Sequence, residues 1–587
     1  MNEKIRQLIL KLADKIETNQ ESISVLEDDL LEEIIEAGYE LPQGGKNALL
    51  ETNMNLFRRL KDEKNAQAMS LFLRALIENI QYMQQCMDKY HALTIRQERP
   101  HKKNTIIRMD TREVFAQQNQ SVSEFAYNRL DTVVRYLAIE NYYGENTYGF
   151  ALYGKMQSAR MGNEYTPYSI DRYKELIASF EKTGYDEKSC ITCDQNLKLV
   201  DGSHRLALCL YHGIPNISIQ VLPQRTHIEY GVEWFQENGF TEEEIQIICE
   251  KCIQLMEQNI VPFTCILWPP VQKYFEEITN LLSEAYEVVS VEDFEYKEET
   301  FERLVRGIYH IDDIEDWKIE KKLTYMSDVP LKRVRLLKLY FVGPDFRLKQ
   351  MNGKTLSKVG EHIKKVIRND YQNKVDNYFY DIIIHTGDNF QQNEYISKLF
   401  QPAFELGNYL ESIEEFPYVL TKIDVPYQTD DFPNSYAFSK DLDILVGADS
   451  YLQLVEHTIA YLQECVDGYE LVGLESESNY RIRIELQGYL IFQLDISKNI
   501  EGLPDDFSKK CISERKKIAC YYTTTVENEI GIRIAALIKN PHKQHHWEYL
   551  KQHRHYLDEE NLIPTYGKNE VEVRDIIDKI NAEEATC

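Results

Sequence analysis

The chain lacks any run approaching about 18 consecutive uncharged apolar residues, the length that a membrane-spanning helix requires. Its first residues, Met1 to Leu10, hold no long apolar core followed by a small-residue cleavage site. The sequence therefore predicts no membrane span, no secretory leader and a cytoplasmic location. Positive charge is also in short supply: 67 Lys and Arg face 96 Asp and Glu, a formal net charge of -29. A molecule of that sign repels a polyanion except at a locally basic patch, which argues against nucleic acid as the partner. No internal repeat and no low-complexity tract is present.

Cysteine is sparse and unordered. The 11 residues are odd in number and scattered, several of them inside apolar runs such as Leu208-Cys209-Leu210, a usage that suits reduced thiols. Of the two Cys-x-x-Cys pairs, Cys190 and Cys193 precede a strand pattern, and Cys249 and Cys252 share one face of a helical pattern. The pairs lie far apart and carry no zinc-ribbon turn residues, so core packing is the expectation for them rather than metal.

What is present is apolar content enough for three or four cores: 43% of 587 residues. The expected class is a multidomain α/β and α+β chain in four regions. Residues 1–100 read as helical, with Ile5, Leu8, Ile9 and Leu12 and then Met69, Leu71, Leu73, Leu76 and Ile77 at helical spacing, broken at Pro42. Residues 101–225 mix helix and strand, 226–405 alternate strands and helices, and 406–587 combine strands with a C-terminal helical segment.

The second region holds the most distinctive turn, Asp201-Gly202-Ser203-His204-Arg205. A glycine before a small hydroxyl residue lets the backbone approach a ligand, and the helix that follows offers unpaired amides and a partial positive end. Phosphate fits such a place. Ser203, His204 and Arg205 would add donors, Arg205 as a permanently charged fork. Asp201 is either a base or metal contact, or a residue that merely fixes the turn. The flanking order is a helix from Asp171 closed by Gly184, strands at 189–193 and 197–200, the turn, a helix over 206–211, Gly213 and a strand at 217–221.

Over roughly 165–222 this order resembles the ParB/sulfiredoxin superfamily, which implies a nucleotide-phosphate site, with ATP or CTP as the nucleotide. Ser203 stands where sulfiredoxins carry their reactive cysteine. The Glu-Arg-Arg type box of partition proteins is absent, as is a helix-turn-helix after Val221. The resemblance thus points away from sulfinic acid repair and from chromosome partition.

In the last region, Asp441 and Asp443 stand at i and i+2 of a strand pattern and so share a face. Two such carboxylates can share Mg2+ ions that bridge nucleotide phosphates. Asp495, in the apolar strand 489–496, supplies a third acid, and a buried carboxylate needs a metal or another partner. Over about 415–560 the arrangement resembles the nucleotidyltransferase superfamily, which implies Asp441, Asp443 and Asp495 as a metal triad. The Gly-Ser pair that opens that family's motif is absent, with Ser435 and Ser439-Lys440 nearby, which leaves either Lys440 on the phosphates or a divergent or inactive site. Downstream, Lys539, Lys543, His545, His546, Trp547 and Tyr549 offer cations and a stacking ring, or an ordinary surface helix.

In the middle region, His385, Asp388 and Asn393 cluster at the end of an apolar strand, where α/β loops carry function, and form a candidate substrate-binding set. Arg333, Arg335, Lys338, Arg347 and Lys349 make a local basic excess that either receives a phosphorylated substrate or balances neighbouring acids. The combined expectation is a Mg2+-assisted, nucleotide-dependent phosphoryl- or nucleotidyltransferase acting on a small molecule or glycan precursor. The rival is a nucleotide-gated regulatory or defence interaction protein without turnover. Modification of a tRNA or protein stands third, against the net charge.

Overall fold

The structure is a computed structural model. It describes parts of 10–17 and 57–76, and residues 105–584 except 120–128, 165, 167, 224–227, 313, 328–331, 342, 350–353, 379–380, 424–440 and 558–568. It divides into two compact units, Met1–Thr105 with Leu222–Gln224, and Ile106–Val221 with Arg225–Cys587. Both sheet and helix are abundant, a mixed α/β architecture. Among the described residues no helix is long and apolar enough to cross a membrane.

In the first unit, Met69, Leu73 and Leu76 are buried with Phe57 and Leu60, while Leu71 faces outward, as one face of a helix dictates. Ser70 Oγ donates to Glu17 Oε2 at 3.1 Å. The expected helical positions Ile5, Leu8, Ile9, Leu12 and Ile77, and the break at Pro42, lie outside the described residues.

The second unit begins with a four-stranded sheet made of β1 (Thr105–Asp110), β2 (Ile191–Cys193), β3 (Leu199–Asp201) and β4 (Asn216–Val221), in the order β1-β4-β2-β3. β2 runs parallel to β4 and antiparallel to β3. The helix Tyr168–Thr183 lies between β1 and β2 in the chain and ends at Gly184, whose φ of +68° is the left-handed closure that glycine accepts without penalty.

A second sheet, wholly antiparallel, is made of β5 (Phe263–Leu267), β6 (Glu287–Tyr296) and β7 (Lys332–Tyr340). The hairpin β8 (Phe346–Leu348) and β9 (Thr355–Ser357) stands beside it, and β10 (Ile384–Thr386) closes the order β10-β5-β7-β6. β6 runs on to Tyr296, beyond its apolar start at 287–291. Asp293 there accepts from Arg335 Nε and Nη2 at 2.7 and 2.8 Å, so the acid is neutralised in place. The apolar core does not stop at residue 225: one cluster runs from Ile107 through Phe235, Ile248 and Leu337 to Phe390, and holds Cys193 and Cys252.

Glu113 sits inside this shared core, on the helix Thr111–Gln118. It accepts from Thr355 Oγ1 at 2.8 Å and from the Phe390 amide at 2.7 Å. Burial, and then Asp110, pushes its carboxyl up to about 8 from an ordinary 4.5. A raised folded value means stability that is complete below 4.5 and is lost as pH climbs to 8, by about 1.4 kcal/mol per pH unit. Glu113→Gln keeps a donor and an acceptor and removes the titration. The stability difference between variant and wild type, from urea unfolding at several pH values, should widen at about that rate across the window. A difference independent of pH would refute the assignment.

The third sheet contains β11 (Tyr418–Thr421), β12 (Asp441–Val446), β13 (Glu470–Glu475), β14 (Asn479–Leu486), β15 (Tyr489–Ser497), β16 (Lys516–Ile518) and β17 (Tyr521–Thr523). Its order is β13-β14-β15-β12-β11-β17-β16, with β12 parallel to β15 and β11 parallel to β17. One face packs Leu442, Ile444, Phe492, Leu494 and Ile496 with Leu454 and Leu462 of the helix Tyr451–Cys465. On the other, Val419 and Leu445 pack with Cys511 and with Ile532 of the helix Val526–Lys539.

Candidate functional site

The period of two along β12 sends Leu442, Ile444 and Val446 into the core and Asp441 and Asp443 to the opposite face. The same alternation in β15 puts Gln493 and Asp495 on that face. Register then aligns the row Thr421, Asp443, Asp495, Arg481 across β11, β12, β15 and β14. Asp441 lies one step along, opposite Gln493. The three acids thus come together, and they open into a polar cavity of about 680 Å3. Its far wall is the helix Val526–Lys539 and the turn after it, through Ala536, Lys539, Asn540 and Lys543. Lys539 ion-pairs with Glu501 at the cavity rim.

Each of the two register-paired carboxylates already holds a cation. Lys422 Nζ donates to Asp443 Oδ1 at 3.0 Å. Arg481 Nε donates to Asp495 Oδ1 and Gln493 Nε2 to Asp495 Oδ2, both at 2.7 Å. Burial opposes the Lys422 charge, but Asp443 outweighs it and holds the ammonium above its ordinary range. Behind Lys422 its backbone N–H donates to Glu529 Oε1 at 2.8 Å, and the same oxygen accepts from Arg533 Nε at 2.7 Å. Burial pushes the Glu529 carboxyl up against the opposing pull of Arg533.

The donor set is hard carboxylate oxygen, the chemistry that Mg2+ selects. On that ground Asp441, Asp443 and Asp495 fit a divalent ion. As they stand, Lys422 and Arg481 hold two of them individually, and among the described residues no group of three His, Cys, Asp or Glu closes on one point. Ser439 and Lys440 lie outside the described residues. Of the downstream candidates, Lys539 and Lys543 reach the cavity. His546, Trp547 and Tyr549 pack inward: Trp547 Nε1 donates to the Pro541 carbonyl at 2.9 Å, and the Arg533 guanidinium stacks 4.4 Å from the Tyr549 ring. Burial, with His545 and Arg533, drives the His546 imidazole down to about 2.

At the other turn, Gly202 caps the helix Ser203–Tyr211 with φ +104°, and a Cβ there would lie 3.1 Å from Ile191 Cγ1. Backbone angle and space both demand glycine. Ser203 is buried and its Oγ accepts from Arg129 Nη2 at 2.8 Å. His204 Nε2 meets the Tyr153 hydroxyl at 2.9 Å, and the Tyr173 ring packs edge-on at 4.7 Å. Burial, then Arg135 and Arg160, keeps that imidazole neutral. Arg205 donates to the Cys190 carbonyl at 2.6 Å and pairs at 3.2 Å with the exposed Asp201. The side chains expected to cradle phosphate are therefore bonded within the protein, and Gly202 and Ser203 at the amino end of the helix are buried.

Beneath the turn lies a buried group with no counterpart in the sequence reading. Asp131 accepts from Arg129 Nε and from Arg135 Nη1, both at 2.8 Å. Burial alone would raise this carboxyl, but the two guanidiniums outweigh it and hold it well below the usual range. Its signal was an Arg-x-Asp-x-x-x-Arg spacing, residues 129, 131 and 135, in an otherwise apolar helical segment.

In the middle region the three candidate residues do not converge on one opening. Asn393 is fully buried and its Oδ1 accepts from Thr264 N and Oγ1 at 2.7 and 2.8 Å, tying its helix to β5. Asp388 pairs with Lys364 and Lys349 at 3.0 and 3.2 Å. His385 is buried against the Tyr309 ring, 5.1 Å between centroids, and burial holds it neutral. Of the local basic excess, Arg333 and Arg335 pair with Asp293, Arg347 with Glu361, and Lys349 with Asp388.

No protein-family model, curated protein or solved structure gives a significant match to this chain.

Proposed function

We propose that this protein is a nucleotide-dependent, Mg2+-assisted phosphoryl- or nucleotidyltransferase whose acceptor is a small molecule or glycan precursor. The observation that carries the reading is the convergence of Asp441, Asp443 and Asp495 on one sheet face, opening into a cavity of about 680 Å3 with cationic and amide side chains opposite. That volume lies within the usual range for small-molecule sites. Asp441, Asp443 and Asp495 would hold the ion, which when bound screens phosphate charge and activates an attacking oxygen. Lys539, Lys543 and Asn540 offer donors to phosphate oxygens from the facing wall. The Gly202 turn, in its resemblance to ParB/sulfiredoxin proteins, supplies a second nucleotide site, with ATP or CTP as candidates.

The test is incubation of the full chain with each nucleoside triphosphate and Mg2+, with products and bound ligands read by mass spectrometry. A Mg2+-dependent product that disappears in the Asp441→Ala, Asp443→Ala double variant supports transfer. Absence of nucleotide binding, or turnover untouched in that variant, refutes it. One observation favours a second reading, a nucleotide-gated regulatory protein without turnover: Asp443 and Asp495 are already neutralised by Lys422 and Arg481. Tight nucleotide binding with no product would select that reading.

A further inference from the structure

Lys422 was not among the residues that sequence reasoning singled out, yet it is held at the cavity by both its backbone and its side chain. It follows directly on β11, whose last residue Thr421 stands opposite Asp443. Its φ is +56°, the left-handed region that residues with a Cβ rarely enter. The buried Glu529, from another element, receives its N–H there at 2.8 Å. The outcome of this backbone posture is an ammonium 3.0 Å from an Asp443 oxygen, inside the cavity. Strained backbone fixed by its surroundings is characteristic of functional positions.

Resting on the metal-triad reading above, we propose that Lys422 is a built-in counter-ion of Asp443, a tethered cation that a divalent ion must displace before the acids can close around it. The physical reason is competition for one carboxylate. An ammonium and a metal ion on the one carboxylate repel each other at that range and share its single negative charge. Arg481 stands in the same relation to Asp495, so two of the three acids carry internal cations without metal. An ammonium on a four-carbon stem can leave its partner without moving its backbone, and a phosphate arriving in the cavity offers it a second acceptor. Metal alone then loads poorly, and metal with a polyphosphate loads well.

The experiment is titration of the full chain with Mn2+ alone, free ion being read by electron paramagnetic resonance, in wild type, Lys422→Met, Lys422→Arg and Asp443→Asn. Lys422→Met should bind Mn2+ roughly fivefold or more tighter than wild type, because a nearby positive charge is removed, and Lys422→Arg should stay within about twofold. Should the methionine variant not fold, judged by its melting curve, Lys422→Gln carries the same expectation. Mn2+ binding that weakens in Asp443→Asn but is equal in wild type and Lys422→Met overturns the exchange and leaves the metal triad standing. No Mn2+ binding in any variant overturns both.

Discussion

Asp131→Ala is expected to cost about 3–5 kcal/mol, the range for removing one partner of a buried ion pair and stranding the other. Here two partners are stranded. Arg129 and Arg135 are both buried, and Asp131 is the carboxylate between them. Arg129 also donates to the Leu199 carbonyl on β3 and to Ser203 at the start of the turn helix. The loss should therefore spread from the interior to the turn. Urea unfolding, with hydrogen exchange of the Ser203–Tyr211 helix amides, measures both effects. Asp131→Asn, which retains hydrogen-bond acceptance, should lose less. A variant as stable as wild type would mean that the arginines find water or another acid when Asp131 is gone.

The second large effect concerns chemistry. In the proposed transferase, Asp495→Asn should lower turnover by roughly 10^2–10^4-fold, the several kcal/mol that a catalytic metal supplies. Asparagine keeps the shape: its one oxygen can still accept from Arg481, and Gln493 can turn its amide so that its oxygen accepts from the new NH2, so the fold should survive. Rates at saturating nucleotide and Mg2+ across a range of Mg2+ concentrations distinguish the causes. Recovery at high Mg2+ marks lost affinity for the ion, and a floor that Mg2+ does not lift marks lost transition-state stabilisation. An unchanged rate at every concentration would remove Asp495 from the site.

Much of this architecture is legible in the sequence because it is written in short-range patterns. The alternation that puts Asp441 and Asp443 on one face is a period-two signal, and the strands around them fall close to their expected places. The glycine at 202 and the helix after it are equally local. Partnership is not local. Arg481 meets Asp495 because β14 and β15 pair in one register, and Arg129 meets Ser203 across a gap of 74 residues. Neither is marked in its own neighbourhood. Lys422 looks like any lysine at the end of a strand, and only Glu529, 107 residues away, reveals its posture. His385 and Asn393 show the reverse. Polar residues at a strand end suggest function, but Asn393 is satisfied entirely by Thr264 and Asn389.

The apolar cluster that runs from Ile107 to Phe390 has a consequence for how such a gene can be rearranged. A recombination breakpoint between the codons for Val221 and Phe263 would part residues that exclude water together, and each daughter chain would inherit half an interior. A breakpoint just ahead of the codon for Phe404 would instead fall where a separate cluster begins. It would still part Leu486, Tyr469 and Ile491 from the cluster they share with Trp268 and Phe301. It would also break the bonds in which Arg303 donates to the Ile491 carbonyl at 2.7 Å, Tyr489 to the Arg303 carbonyl at 2.6 Å and Tyr469 to the Lys398 carbonyl at 3.3 Å. The turn at Gly202 and the antiparallel sheet beyond it should therefore be inherited as one module, and an exchanged acidic sheet would have to bring apolar residues that match those at Leu486 and Ile491.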